Sequence, residues 1–88
     1  MFRLWGKTFK DNHMLRDTVF ETEDYSINRT RMVFEGLENI CYQFDLEKPM
    51  WLDATVNDFK HHSKTRFTQD NFVEQIDFDY LEIQVIEE

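Results

Sequence analysis

The sequence predicts an α+β fold, in which an N-terminal β-hairpin, two helices and a C-terminal strand form a three-stranded, mainly antiparallel sheet with the helices on one face. Three observations predict it: two apolar, strand-like runs around a polar turn near the N-terminus, helical spacing of apolar residues in the middle, and alternation again at the C-terminal end. The 88 residues are 41% hydrophobic, which predicts a single compact domain, residues 1–88, around one core.

The hairpin is predicted from the turn Lys10–His13. Asp and Asn tolerate the positive φ that tight hairpins demand, so Asp11 and Asn12 are expected to be its central pair. Counting outwards from them places Leu4 opposite Val19. Both faces of the strands then carry large apolar side chains. Because the helices can cover only one face, we expect the other to be partly exposed or covered by a partner.

The first helix is predicted from Asn28 to Phe44, because apolar residues recur there at intervals of three and four. Ser26 or Asn28 can cap its start by accepting a hydrogen bond from a free backbone N–H. Gly36 lies inside this helix, where glycine costs about 1 kcal/mol relative to alanine. We interpret it as a site of close packing against a strand.

The second helix is predicted from Ala54 to His62, with Asp53 as its N-cap. Residues Lys64–Asn71 are expected to be irregular. The segment Glu74–Glu88 is predicted to be a strand whose alternation changes phase near Tyr80-Leu81. A β-bulge or bend there would explain the change, and so would a central strand that is buried on both faces at its end.

Charge and composition exclude several classes of protein. Eighteen acidic and ten basic residues give a net charge of −8, which argues against a general binder of polyanions. A single cysteine excludes a disulfide framework or a Cys-rich zinc module and favours a reducing cytosol. We find no signal peptide, membrane span or Gly-rich phosphate loop, and therefore expect a cytoplasmic protein with no membrane partner and no cofactor.

The residues that catalysis or metal binding would need are poorly arranged. Asp77 and Asp79 share one face of the predicted last strand and are expected to point to solvent or to hairpin cations. Cys41 lies in the apolar stripe of the first helix, where a thiol is inert. Adjacent histidines on a helix, His61 and His62, point about 100° apart and do not easily ligate one ion. The sequence therefore predicts no enzyme and no metal site.

The most distinctive local feature is the segment Lys60–Phe67, which holds three permanent cations and two histidines without an acid. It can complement the dipole of the second helix, or contact phosphate or an acidic protein. Large aromatic residues outside the simplest core faces are a further candidate surface, since interfaces are enriched in them. The candidate interaction residues are Trp5, Trp51, Lys60, His61, Lys64 and Arg66.

These features favour a non-catalytic protein-interaction or regulatory module whose partner is not identified. A second copy of the chain is one candidate, bound through a sheet edge or the uncovered sheet face. The alternative is a nucleic-acid-associated protein using Lys60–Arg66, which requires those cations to converge with Lys7, Lys10 and Arg16. The acidic balance makes nucleic acid the weaker choice. An enzyme whose site forms only at a dimer interface is a third, still weaker hypothesis.

Four runs, Arg3–Lys7, Asn39–Tyr42, Trp51–Asp53 and Lys64–Asp70, resemble those of a family of small bacterial proteins without an assigned activity. The resemblance extends over most of the chain. It implies a bacterial, cytosolic origin and transfers no site residue.

Overall fold

The computed structural model of the chain describes residues 1–88 as an α+β fold with a four-stranded antiparallel sheet. The elements are β1 (Phe2–Lys10), β2 (His13–Thr22), α1 (Arg29–Gln43), α2 (Asp53–His62), β3 (Lys64–Phe67), a short 3-10 turn (Gln69–Asn71) and β4 (Tyr80–Glu87). The strand order is β2-β1-β4-β3. The predicted fold class is confirmed, whereas the predicted number of strands is wrong by one.

The hairpin has the predicted turn and a different register. Asp11 and Asn12 adopt positive φ angles of 52° and 66°. Past the turn, Phe9 pairs with Met14 but Thr8 pairs with Arg16, so Leu15 is an extra residue in a β-bulge. One extra residue exchanges the faces of all that follow. Leu4 therefore lies opposite Phe20 instead of Val19, so Phe20 and not Val19 shares with Leu4 the face that α1 covers.

Helix α1 matches its prediction closely. Its N-cap is Asn28, whose side-chain oxygen accepts a hydrogen bond from the Arg31 backbone N–H at 2.8 Å. At Gly36 the helix lies so close to the sheet that a side chain has no room: a Cβ there would lie 2.7 Å from Leu4 Cδ2 and 2.9 Å from Phe20 Cδ2. The predicted packing of this glycine against a strand is confirmed, and it shows that α1 lies across β1 and β2.

Helix α2 runs directly into a strand that was not predicted. Asp53 is its first residue and not its N-cap, a position taken by Leu52, whose N–H donates to Thr55 Oγ1 at 2.8 Å. After the helix, Ser63 adopts a left-handed conformation with φ of 53°. This residue turns the chain back so that Lys64–Phe67 can pair with β4.

Strand β4 begins at Tyr80, whereas residues 74–79 are irregular, so the predicted start at Glu74 is wrong. It lies between β1 and β3. Leu81 and Ile83 are fully buried under the helices, and Glu82 between them is buried on the opposite face. The predicted central position is therefore correct, but burial on both faces is confined to residues 81–83 and the C-terminal end of the strand is exposed, so the predicted burial at its end is wrong. The change of phase arises because residues 74–79 do not belong to the strand.

The helices cover one face of the sheet, and we call the other the open face. Its side chains are identified by strand pairing, because directly opposite residues share a face. They are Arg3, Trp5, Lys7 and Phe9 from β1, Met14, Asp17, Val19 and Glu21 from β2, Tyr80, Glu82, Gln84 and Glu87 from β4, and Lys64 and Arg66 from β3. Neither helix is long and apolar enough to cross a membrane.

Candidate functional site

The predicted interaction residues lie in two separate regions. Trp51 and Lys60 line a groove between the helices. Trp5, Lys64 and Arg66 lie on the open face, on the other side of the sheet. His61 belongs to neither region: it is exposed on α2, and its Nδ1 lies 2.9 Å from the Asn57 carbonyl oxygen.

The groove between the helices, the α1–α2 groove, encloses about 190 Å³. Five of the eight residues that line it are hydrophobic. Helix α1 contributes Arg29, Thr30, Val33 and Phe34, helix α2 contributes Val56, Phe59 and Lys60, and the segment between the helices contributes Trp51. It is an apolar surface cleft with cationic residues in its lining.

Trp51 is the centre of an aromatic cluster that builds the groove. Its ring meets Phe67 at 5.0 Å, Phe59 at 5.8 Å and Phe34 at 5.9 Å between centroids, each in an edge-on arrangement. Such pairs contribute about 0.5–1.5 kcal/mol each beyond the area that they bury. Phe67 and Phe59 are buried, whereas Phe34 is exposed. The cluster therefore presents a rigid aromatic surface that reaches solvent at Phe34.

The two cations of the groove differ in availability. Arg29 Nε lies 2.5 Å from Glu88 Oε1, and its Nη2 donates to Ser63 Oγ at 3.0 Å. Lys60 is exposed and takes part in none of the ion pairs. An anion placed in the groove would therefore meet an unpaired ammonium group beside an aromatic surface.

The open face has a buried ion pair at its centre. Lys7 Nζ lies 2.9 Å from Glu82 Oε2, and Arg66 Nε lies 3.1 Å from Glu82 Oε1. Burial acts to raise the pKa of Glu82, but the hydrogen bonds and charges of Lys7 and Arg66 outweigh it and lower that pKa below its ordinary value. A hairpin cation thus pairs with an acid of the last strand, and that acid is Glu82, whereas Asp77 and Asp79 form no ion pair.

The aromatic rings of the open face are already engaged. Lys7 Nζ lies 3.7 Å from the centre of the Trp5 ring, and Arg66 Cζ lies 4.5 Å from that of Tyr80. Phe9 stacks on Tyr80 at 5.1 Å with an angle of 22° between the rings. These cation–π and stacking contacts occupy surfaces on which a nucleic-acid base would have to stack.

The cations that the nucleic-acid hypothesis requires do not all converge. Lys7 and Arg66 meet at Glu82 on the open face, but Lys60 lines the α1–α2 groove. Arg16 lies on the helix side, where its Nη2 donates to the Phe44 carbonyl at 2.7 Å. The expected common basic face therefore forms only in part, because Lys7, Lys64 and Arg66 share the open face whereas Lys60 and Arg16 lie elsewhere.

The residues considered for catalysis and metal binding, Cys41, Asp79, His61 and His62, lie in environments that do not support either role. Burial raises the pKa of Cys41 to about 12, so its thiol stays protonated at neutral pH. The Asp79 carboxylate accepts a hydrogen bond from the Asp11 N–H at 2.8 Å and so ties the hairpin turn to the start of β4. The His61 and His62 rings are 6.3 Å apart. No group of three or more His, Cys, Asp or Glu residues is placed to hold a metal ion.

Sequence reasoning identified two of the eight groove residues, Trp51 and Lys60, and missed the other six as site residues: Arg29, Thr30, Val33, Phe34, Val56 and Phe59. Phe34 had a usable signal, since it is an aromatic residue beside the buried stripe of an amphipathic helix. Arg29 and Val56 had none, because only the folded chain brings α1 and α2 together. No protein-family model, curated protein or solved structure matches this chain.

Proposed function

We propose that the protein is a non-catalytic protein-interaction module, and that its α1–α2 groove binds an acidic segment of a partner protein. One apolar side chain of that segment sits against Trp51 and Phe34, and a neighbouring carboxylate pairs with Lys60. The observation that carries the proposal is an exposed aromatic surface beside an unpaired lysine, in a chain whose net charge is −8.

The size of the groove favours a side chain over a complete small molecule. Its volume of about 190 Å³ is below the roughly 300–1,000 Å³ of ordinary ligand and cofactor pockets. Hot spots of protein–protein interfaces are smaller than such ligand pockets, because a few aromatic and cationic residues form a compact pocket that holds a single partner residue. The proposed setting is the reducing cytoplasm, where the buried free thiol of Cys41 is chemically stable.

Charge complementarity supports an acidic partner. The unpaired Lys60 is the attractive group, whereas the remainder of this acidic surface repels an acidic segment that approaches elsewhere. A correctly placed carboxylate thus adds specificity to an anchor whose affinity comes from apolar burial.

The test is quantitative affinity capture with matched baits from the cell of origin. The groove variants are Lys60→Glu and Phe34→Ser, and the controls make similar changes at exposed residues elsewhere, Lys10→Glu and Tyr25→Ser. We expect a stoichiometric protein that both groove variants lose and both controls retain. Far-ultraviolet circular dichroism checks that all four variants are folded.

Two outcomes contradict the proposal. Equal recovery of every bound protein by groove and control baits would exclude the groove as the docking site. Material that disappears after nuclease treatment, and whose binding weakens as salt rises, would support nucleic-acid association through Lys64 and Arg66 instead.

A further inference from the structure

Strand β2 is a long edge of the sheet, and no other element pairs with its outer side. It has ten residues and pairs only with β1, whereas the other edge strand, β3, has four. Its apolar side chains Met14, Leu15 and Val19 are 49%, 54% and 40% exposed. Natural edge strands are usually protected by charged side chains, especially lysine, by proline, by a β-bulge or by a covering element. β2 contains neither lysine nor proline; its protection consists of three charged residues and the bulge at Leu15, near one end of the strand.

We propose that β2 pairs antiparallel with β2 of a second copy of this chain, about a twofold axis at Thr18, so that two sheets become one of eight strands. The pairing uses a surface distinct from the α1–α2 groove, and it does not depend on the groove's function. Its register follows from symmetry and charge.

Symmetry limits where the axis can lie. Two antiparallel strands joined edge to edge are related by a twofold axis perpendicular to the sheet. Directly opposite residues share a face, and faces alternate along a strand. The axis must therefore pass through a residue and not between two residues. The regular part of β2, past the bulge at Leu15, offers the centres from Arg16 onwards.

Repulsion between like charges disfavours most of these positions for the twofold axis. An axis at Arg16, Asp17 or Glu21 would place that residue directly opposite its own copy. An axis at Val19 would place Asp17 opposite Glu21 twice. An axis at Thr22 would place Glu21 opposite Glu23 twice. Like charges directly opposite each other destabilise a strand pair, so all five registers are disfavoured.

Centres at Phe20 and Thr18 remain. An axis at Phe20 pairs only Thr18–Thr22 and leaves Met14 and Leu15 outside the contact. An axis at Thr18 sets Met14 and Leu15 against the C-terminal end of the partner strand, so that these exposed apolar side chains become covered. The Thr18 register therefore uses nearly the whole strand.

The position of α1 agrees with this arrangement. The helix lies across β1 and β2, because Gly36 approaches both Leu4 and Phe20. With strands about 4.8 Å apart, helices placed this way in two paired copies lie about 10 Å from each other, which is the distance of packed helices. Tyr42, on the side of α1 near Phe20, is 81% exposed and would be covered there.

The test reads the register with single-cysteine variants. The native Cys41 is buried and does not interfere. Oxidation of Thr18→Cys joins two chains directly opposite each other, whereas Asp17→Cys and Val19→Cys are offset by two residues and lie too far apart for a disulfide. We expect about tenfold more cross-linked dimer for Thr18→Cys, measured by non-reducing electrophoresis, and dimers of the unmodified protein in sedimentation equilibrium.

A second variant tests the same contact without oxidation. Thr18→Lys sets two ammonium groups against each other at the axis and should weaken the dimer at least about tenfold. Gln75→Lys, an exposed control with the same charge change, should not. Strictly monomeric unmodified protein would overturn the proposal, as would strongest cross-linking at position 17 or 19, or equal weakening by both lysine variants.

Discussion

Lys7 and Glu82 form an ion pair across the two central strands, with 2.9 Å between Nζ and Oε2 and only 9% and 7% of their side chains exposed. They lie on the face of the sheet that no helix covers. Neighbouring side chains replace the helix as cover: Trp5 lies under the ammonium group, and Arg66 makes the second contact with the carboxylate. The pair is therefore a buried ion pair within the fold and not an exposed surface salt bridge.

Replacing only one partner of this pair should lower the free energy of unfolding more than replacing both partners. Lys7→Met leaves the Glu82 carboxylate buried with Arg66 as its remaining cation, and we expect a loss of about 3 kcal/mol in the free energy of unfolding. The double variant Lys7→Met/Glu82→Met removes both charges and should recover most of that loss. Urea unfolding gives the free energy of unfolding of Lys7→Met, of Glu82→Met and of the double variant. A loss in the double variant that equals the sum of the losses in the two single variants would contradict the interpretation.

Acid should weaken the fold through Glu82. Its pKa is lower in the folded protein than its ordinary 4.5, so the stabilisation is present above that value and is lost as the pH falls through the lower, folded value. We expect Glu82→Gln to show a flatter decline of unfolding free energy below about pH 4.5 than the unmodified protein. The comparison isolates Glu82, because Asp24, whose pKa is lowered by hydrogen bonds from Ser26, is present in both.

Gly6 should resist even the smallest side chain. A Cβ there would lie 2.5 Å from Ile40 Cγ2 and 2.9 Å from Cδ1. Gly6→Ala should therefore cost about 1–3 kcal/mol, although alanine loses less backbone entropy than glycine on folding. In a double-mutant cycle by thermal unfolding, Ile40→Ala should cost less in the Gly6→Ala background than alone. Additive effects would show that the two residues do not collide.

The thiol of Cys41 should be unreactive until the chain unfolds. Burial raises its pKa to about 12, and the thiolate is the reactive form. With Ellman's reagent at mildly alkaline pH we expect no reaction in the native protein and one thiol per chain after addition of guanidinium. Rapid reaction without denaturant would mean that α1 opens readily.

The sequence predicted elements that depend on local signals. The turn at Asp11 and Asn12 and the cap at Asn28 follow from the conformations and hydrogen bonds that these residue types favour. Strand β3 was missed because its four residues, two of them cations, are too short for periodicity to register. Its existence depends on β4, which lies far along the chain.

The bulge at Leu15 shows why the register of a hairpin is harder to predict than its turn. No residue type near Leu15 predicts a β-bulge. The one extra residue nevertheless decides whether Val19 or Phe20 faces the helices. The α1–α2 groove was predicted only in part for a similar reason. Trp51 and Lys60 were recognised as single residues, but their partners Phe34 and Arg29 come from another helix.

The centre of the sheet joins the first strand of the domain to its last: Leu4 pairs with Val85 and Phe9 with Tyr80. A nascent chain emerging from the ribosome can close the β1–β2 hairpin and form both helices early, since their contacts are local. The two middle strands cannot meet until β4 has cleared the exit tunnel, so the β1 edge of the hairpin stays unpaired until then. During this interval both edges of the hairpin, β1 and β2, are open to another chain, and a chain that loses β4 to premature termination would keep both open.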